Sequence, residues 1–394
     1  MKLTECRTAG GILTIGVSGR IDSGNAPQLE EEISKAREAA PSQPVVLDFE
    51  NLDYMSSAGL RVILRLIRSA KDTSIVNASA EVYGILEMTG FTEMMDVQKA
   101  YRVFSVEGCE VIGEGANGKV YRIDGETIVK AYRHPDSLPE IKRERELART
   151  AFVAGVPTAI PYDVVRIKGG GYGSVFELLN ATSYAALLQS GEKSVDEVAE
   201  MSVALLRLIH SKTVNPGTLP DMKKTALDWA AFLRDCLPGG EAEKLYALID
   251  AVPQDLHILH GDYHIKNIML QNGESLLIDM DTICCGHPVF ELASMYNAYV
   301  GFGQLDHSVT LDFLGISFDD ASAFWTKSLR LYLETADEEK IRCVEDKARL
   351  LGYTRMLRRT IRRGGLDTPE GRAMIGHCKA MISELLLKVD TLLF

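Results

Sequence analysis

Residues 260–281 read HGDYHIKNIMLQNGESLLIDMD. A short apolar approach, Leu256 to Leu259, leads to Asp262, and Asn267 follows five residues on. One loop therefore presents an acceptor-only carboxylate together with an amide oxygen. The Asn272-Gly273 turn signal then reverses the chain into the apolar run LLI, which returns Asp279 to the same place. A carboxylate suits a base, and amide and carboxylate oxygens suit a hard divalent cation. Phosphoryl transfer asks for this combination, because there the protein mainly positions groups, neutralises charge through a metal and orients the attacking hydroxyl. Asp and Asn residues in turns more commonly cap and solvate them. Three in this order favour the catalytic reading, with Asp262 as base and Asn267 and Asp279 as Mg2+ ligands.

HGDYHIKN followed by IDMD resembles the aminoglycoside phosphotransferase and choline kinase branch of the protein-kinase-like superfamily, in which His-Gly-Asp replaces His-Arg-Asp. GHPVFELA (Gly286–Ala293) is similar to the Gly-Asp-Pro-x-x-Asp-Leu-Ala element of that branch, with His287 and Glu291 in place of the usual acids. LLRLIHS resembles its Leu-His element. The resemblance implies a bilobal fold with a β-rich N-lobe and a mostly helical C-lobe, ATP and Mg2+ as cofactors, and a hydroxyl-bearing acceptor.

Such an enzyme needs a glycine-rich strand-turn-strand and a lysine about 150 residues upstream. VIGEGANGKVYRI places Gly113, Gly115 and Gly118 in GxGxxG between two alternating runs, where bare backbone can close over phosphates. A dinucleotide fold would require a helix directly afterwards. KVYRIDGETIVKAY predicts instead a hairpin turning at Asp124 and Gly125. In its second strand Lys130 interrupts an apolar run, and by resemblance it pairs the α- and β-phosphates while Val120 lies under adenine. Pro139 near the start and Gly155 and Pro157 at the end delimit one helix. Glu144, thirteen positions before Pro157, matches the family's partner for the lysine, with Glu146 as the fallback. Read without the family, both glutamates are surface charges pairing with Lys142 and Arg149. The strand GSVFELL (Gly173–Leu179) is placed as the hinge between lobes, with backbone of Glu177 to Leu179 facing adenine.

The first hundred residues form a separate α/β domain. GILTIGVSG alternates as a strand, NAPQLEEEISKAREAA is helical, PVVLDFE is a buried strand and AGLRVILRLIRSAKD is helical again. SIVNA and the helical AEVYGILEMTGF close it, and a linker around Ala100 to Ser105 follows. LDYMSSAGLRVIL sets two serines between a strand end and a helix start, where unpaired N–H groups and the dipole tolerate a phosphate. Together with GRIDSGNAPQLEEEI and EMTGF, this resembles the STAS domain of anti-sigma-factor antagonists. Laid on Met55-Ser56-Ser57-Ala58-Gly59, the family's switch serine falls on Ser57, although Ser56 and Ala58 replace its usual Asp and Ser neighbours. Phosphorylation of Ser57 and docking of a protein partner are what the resemblance implies. A serine serving only as helix N-cap is the plain alternative. The expected domains are 1–103 (STAS-like), 104–178 (N-lobe) and 179–394 (C-lobe).

The formal net charge of −12 and pI near 5.3 argue against a nucleic-acid partner, which would demand a basic surface. No apolar run is long enough to span a bilayer, and MKLTECRTAGG lacks the apolar core of a signal peptide. The seven cysteines are scattered without metal spacing. These features predict a cytoplasmic protein with reduced thiols and no membrane partner. Late in the chain Arg355, Arg358, Arg359, Arg362 and Arg363 recur at helical spacing opposite Leu350, Thr354, Leu357 and Ile361. Such a face is either solvated and paired with local acids or a receiver for an anionic substrate or acidic surface. It points away from a polycationic aminoglycoside. The resulting expectation is γ-phosphoryl transfer from ATP to a hydroxyl. The alternatives are a nucleotide-binding switch with little turnover, and a kinase acting on Ser57.

Overall fold

The structure is a computed structural model that describes residues 4–70, 72–115 and 118–394. The chain divides into two compact units, one of Met1–Glu107 with Val164–Gly171 and one of Gly108–Asp163 with Tyr172–Phe394. The inclusion of Val164–Gly171 in the first unit carries no cue in the sequence. It follows from the parallel pairing of β10 (Asp163–Ile167) with β6 (Val103–Phe104).

The first unit is built on a five-stranded sheet in the order β1-β2-β3-β4-β5. β1 (Thr4–Ala9) runs antiparallel to β2 (Ile12–Ile21), whereas β2, β3 (Val45–Met55), β4 (Thr73–Ala78) and β5 (Val97–Lys99) pair in parallel. The crossovers carry α1 (Ala26–Ala39), α2 (Ser57–Ser69), α3 (Ala80–Met88) and α4 (Phe91–Met94), as parallel pairing requires. Ile15, Leu47, Phe49 and Ile75 from the strands are fully buried against Leu29 and Ile63 from the helices. β1 is an edge strand whose residues after Thr4 are exposed, so the sequence offers no alternation to read there. β3 runs to Met55, past the apolar PVVLDFE, because register with β2 persists to Ile21 opposite Met55.

The helix start at the two serines differs from the simple capping alternative. Ser56, with extended backbone, is the N-cap of α2, and Ser57 is its first helical residue and exposed. Ser57 is therefore not the cap. Two residues on, a Cβ at Gly59 would lie 2.7 Å from Ile21 Cγ2 and 2.9 Å from Met55 Cγ, so α2 starts against the sheet only because Gly59 has no side chain.

The second unit opens with antiparallel strands in the order β11-β9-β8-β7, namely β7 (Glu110–Glu114), β8 (Gly118–Arg122), β9 (Thr127–Tyr132) and β11 (Tyr172–Glu177). The β8–β9 turn falls at Asp124–Gly125, as the pattern predicts. α5 (Leu138–Val153) accompanies this sheet. The helical part comprises α6 (Tyr184–Gln189), α7 (Val195–His210), α8 (Met222–Phe232), α9 (Glu241–Asp250), α10 (Val289–Tyr299), α11 (Ser308–Leu314), α12 (Phe318–Leu333), α13 (Glu338–Arg362) and α14 (Pro369–Leu386). Short ribbons frame residues 260–281: β13 (Ile258–Leu259) with β16 (Cys284–Cys285), and β12 (Thr182–Ser183) with β14 (Ile268–Gln271) and β15 (Glu274–Leu277). Every residue of α10 is buried, which makes it the axis on which the helical part packs. This is the strand-rich and helical division the sequence predicts, preceded by its α/β domain. The seven cysteines are free thiols.

Gly59→Ala is expected to destabilise the first unit by about 1–3 kcal/mol through overpacking. In urea unfolding, far-UV circular dichroism should shift to lower denaturant. Tryptophan fluorescence, which comes only from Trp229 and Trp325 of the second unit, should hold its midpoint.

Candidate active site

The β8–β9 register sets Val120 opposite Lys130, and β7–β8 sets Gly113 opposite Val120, so the three project from one face of the sheet. Lys130 Nζ donates to Glu144 Oε1 at 2.9 Å and to Asp279 Oδ1 at 2.7 Å. Tyr132 Oη donates to the other oxygen of Glu144, which is buried on α5. Burial acts to discharge the Lys130 ammonium, but the Asp279 and Glu144 carboxylates outweigh it and hold its pKa above the ordinary value. Glu146, the fallback partner, is exposed. The loop between Gly115 and Gly118 is closed by Gly115 N–H donating to the Gly118 carbonyl at 3.0 Å; Ala116 and Asn117 lie outside the described residues. Gly118 has a further reason to be glycine, since a Cβ there would lie 2.1 Å from the Ala131 carbonyl oxygen on β9.

The loop that carries Asp262 is shaped from behind by Glu291. This fully buried carboxylate on α10 accepts the backbone N–H of His260, and that of Gly261 at 3.0 and 3.2 Å. Burial raises its pKa, but His210, His260 and the Gly261 N–H bring it below the usual carboxylate value. Gly261 has φ +81°, and a Cβ would lie 2.4 Å from the Thr282 carbonyl oxygen, so this turn admits only glycine. The Gly261 carbonyl accepts from Ser294 Oγ at 3.0 Å and from Arg355 Nη1 at 3.0 Å. These contacts fix the backbone that carries Asp262.

Burial pushes the Asp262 carboxyl up, but the hydrogen bond and charge of His264, with Arg355 and His260 nearby, bring it down to about 2. It is thus a carboxylate across the neutral range. His264 Nε2 lies 3.4 Å from Asp262 Oδ2. Asn267 Nδ2 donates to the Asp262 carbonyl at 3.0 Å, which leaves Oδ1 as that amide's acceptor atom. Asp279 sits in left-handed backbone, φ 62° and ψ 65°, an uncommon conformation for a residue with a side chain. Burial and the adjacent Asp279 charge push Asp281 up to about 7.

Lys130, Glu144, Asp262, His264, Asn267, Asp279 and Asp281 line one cleft of about 1200 Å³. Its strand side is made by Gly113, Gly115, Gly118, Val120 and Lys130, with Glu144 behind. Glu177 and Leu179 contribute from the connection after β11, where the Leu178 N–H is committed to the Glu126 carbonyl at 2.7 Å. Asp262, Asn267 and Asp279 make the opposite wall. Ser57 belongs to the other unit. Asp281, His264 and Arg355 also line the cleft without having been assigned from sequence. Two of them stand inside the diagnostic stretch itself, and the signal was their distance of two residues from Asp279 and from Asp262. The carboxylates of Asp279 and Asp281 with the Asn267 amide oxygen form a hard donor set that fits Mg2+.

A strand-rich lobe holding a paired lysine over a helical lobe that presents Asp262, Asn267 and Asp279 is the layout of a kinase-like phosphotransferase. Residues 108–314, more than half of the chain, match the phosphotransferase enzyme family (APH), and the chain belongs to that family. Residues 4–105 match the STAS domain. The STAS part is 35% identical over 101 residues to BtrV of Bordetella bronchiseptica, which carries the name of an anti-sigma factor antagonist; the match spans 25% of this chain and 85% of that protein. Among solved structures, aminoglycoside phosphotransferase APH(4)-Ia superposes with a TM-score of 0.48 at 11% identity, covering 71% of this chain and 93% of its own. A choline/ethanolamine kinase family protein from Mesorhizobium loti gives 0.44 at 14% identity, covering 72% and 88%.

Glu291→Gln replaces one acceptor oxygen by an amide that cannot receive the loop N–H groups. It is expected to cost about 1–3 kcal/mol, seen as a lower Tm, and to slow ADP release from ATP about 10- to 100-fold. Nucleotide affinity should stay within about twofold of wild type, because Glu291 does not line the cleft.

Proposed function

We propose that the chain transfers the γ-phosphoryl group of ATP, with Mg2+, to the hydroxyl of an acceptor. The observation that carries this reading is the convergence of Lys130, from a strand of the strand-rich part, with the distant stretch that holds Asp262, Asn267 and Asp279 on a single cleft. Lys130, held by Glu144, would grip the α- and β-phosphates, with Gly113, Gly115 and Gly118 allowing backbone to approach them. Val120 and the Glu177 to Leu179 connection would enclose adenine. Asn267, Asp279 and Asp281 would hold Mg2+, which when bound supplies positive charge against the phosphate oxygens.

Asp262 would accept a hydrogen bond from the acceptor hydroxyl and aim its oxygen at the γ-phosphorus. The new O–P bond forms as the bond between the γ-phosphorus and the bridging oxygen breaks, and ADP leaves. With a pKa near 2, Asp262 is a weak base. Its work is orientation first and proton acceptance late, which suits a loose transition state in which the hydroxyl proton departs last. His264 and Asn267, in contact with the Asp262 side chain and carbonyl, would keep it in that pose.

Asp262→Ala is expected to lower ATP turnover at least about 100-fold while nucleotide binding, read by fluorescence of a labelled ATP analogue, persists. A turnover rate equal to wild type would remove the assignment.

The N-terminal STAS domain would dock a protein partner, a role supported by its identity to a protein named for that activity. Exposure of Ser57 at the first turn of α2 favours a second reading, in which this hydroxyl is itself a phosphoryl acceptor. Intact mass spectrometry after incubation with Mg-ATP would then show one added phosphoryl group in wild type and none in Ser57→Ala or Asp262→Ala. An unchanged wild-type mass would count against it.

A further inference from the structure

One wall of the cleft is not used by the nucleotide site proposed above. α13 and its C-cap place Arg355, Arg359 and Arg363 on the cleft, four residues apart. The five arginines do not act as one face: Arg358 lies over the Phe232 ring at 5.8 Å on the α8 side, and neither it nor Arg362 lines the cleft. Arg355 is committed, donating to the Gly261 carbonyl and to Ser294 Oγ at 2.9 Å. The guanidinium carbon of Arg359 lies over the Phe302 ring, 5.0 Å from its centre. Among the described residues, no carboxylate comes within 4.0 Å of any of the three guanidinium groups. Burial and the like charges of Arg363 and Arg355 hold Arg359 below its ordinary pKa. The row therefore repels itself; Asp262 is close enough to act on Arg359 by charge but forms no ion pair with the row, in a chain of net charge −12.

The same wall carries polar atoms without partners. Thr310 and Asn297 are 1% and 2% exposed and line the cleft, and among the described residues Thr310 Oγ1 and Asn297 Oδ1 have no hydrogen-bond partner. Buried polar atoms left in this state cost stability. Those two oxygens face the backbones of Gly303 and of Gly301 and Gly352, so it is the arginines that call for a ligand, and an anionic one. Guanidinium forks match phosphate and carboxylate oxygens in geometry as well as charge.

We propose that this wall is the acceptor subsite and that the acceptor is a small anionic hydroxyl compound, whose own phosphate or carboxylate docks on Arg359 and Arg363 while its hydroxyl meets Asp262. A polycationic acceptor would meet the Arg359 and Arg363 guanidinium groups, neither of which pairs with a carboxylate among the described residues. The inference rests on the phosphotransferase reading and supplies its substrate class.

The test uses the full chain saturated with Mg-AMP-PNP, so that the nucleotide's phosphates occupy their own site, and titrates inorganic phosphate while Tm is read. Wild type should gain about 2–4 °C at about ten times the apparent Kd. Arg359→Gln/Arg363→Gln should lose that gain and keep the shift produced by Mg-AMP-PNP alone. No phosphate shift in wild type, or an equal shift in the double variant, would overturn the proposal. Loss of the Mg-AMP-PNP shift in the variant would also overturn it, by assigning the arginines to nucleotide phosphates. If Mg-AMP-PNP fails to shift wild type, the phosphotransferase reading falls, and the inference with it.

Discussion

The arrangement depends on one ammonium group. Lys130 on β9 reaches Glu144 on α5 and Asp279 beyond β15, thereby tying together a strand, a helix and a loop separated by as many as 149 positions in the chain. Three charges in a partly buried site are stable only as a set. Removing either carboxylate would leave the remaining charges uncompensated, a loss that usually exceeds what the intact pair contributes. The strand-rich and helical parts of the second unit are thus held in register at the point where phosphates would bind. Tyr132, on the same strand two residues on, donates to Glu144 and limits the carboxylate to one orientation.

Much of the site was legible because its parts are local. Gly113 to Lys130 and Asp262 to Asp279 are each contiguous stretches, in which spacing alone dictates a hairpin or a loop. Glu144 was legible through the resemblance, which sets the partner of the lysine thirteen positions before Pro157; without it Glu144 and Glu146 read alike as surface charges. Glu291 was visible only as a departure from a motif. Its role depends on a buried carboxylate meeting two backbone N–H groups some thirty residues away, and no periodicity reports such a contact. Asp281 was hidden differently: alternation says nothing of which of two nearby acids is desolvated. The five arginines form a sequence pattern whose division is decided by neighbours on α8 and by the segment around Phe302, which helical spacing cannot see.

The α/β domain shows the same boundary between legible and hidden. Its helices and inner strands follow from apolar periodicity, but β1 has an exposed face pattern and exists because β2 offers it an edge. The position of the α2 start by one residue, Ser56 as cap and Ser57 as first helical residue, is below the resolution of capping preference, since either serine could cap. That single step places the Ser57 side chain at the surface.

Gly118 carries a different lesson about glycine-rich loops. Its hydrogen faces the β9 backbone at Ala131, so the residue is fixed by the crowding of two strands before any nucleotide is considered. A side chain at that position would be removed by quality control, as protein that never accumulates, and not by weakened affinity. Variation among related chains would leave the site invariant even in members that had abandoned ATP. The third glycine of such a loop is consequently a marker of descent and of hairpin geometry, and its presence alone is silent about catalysis.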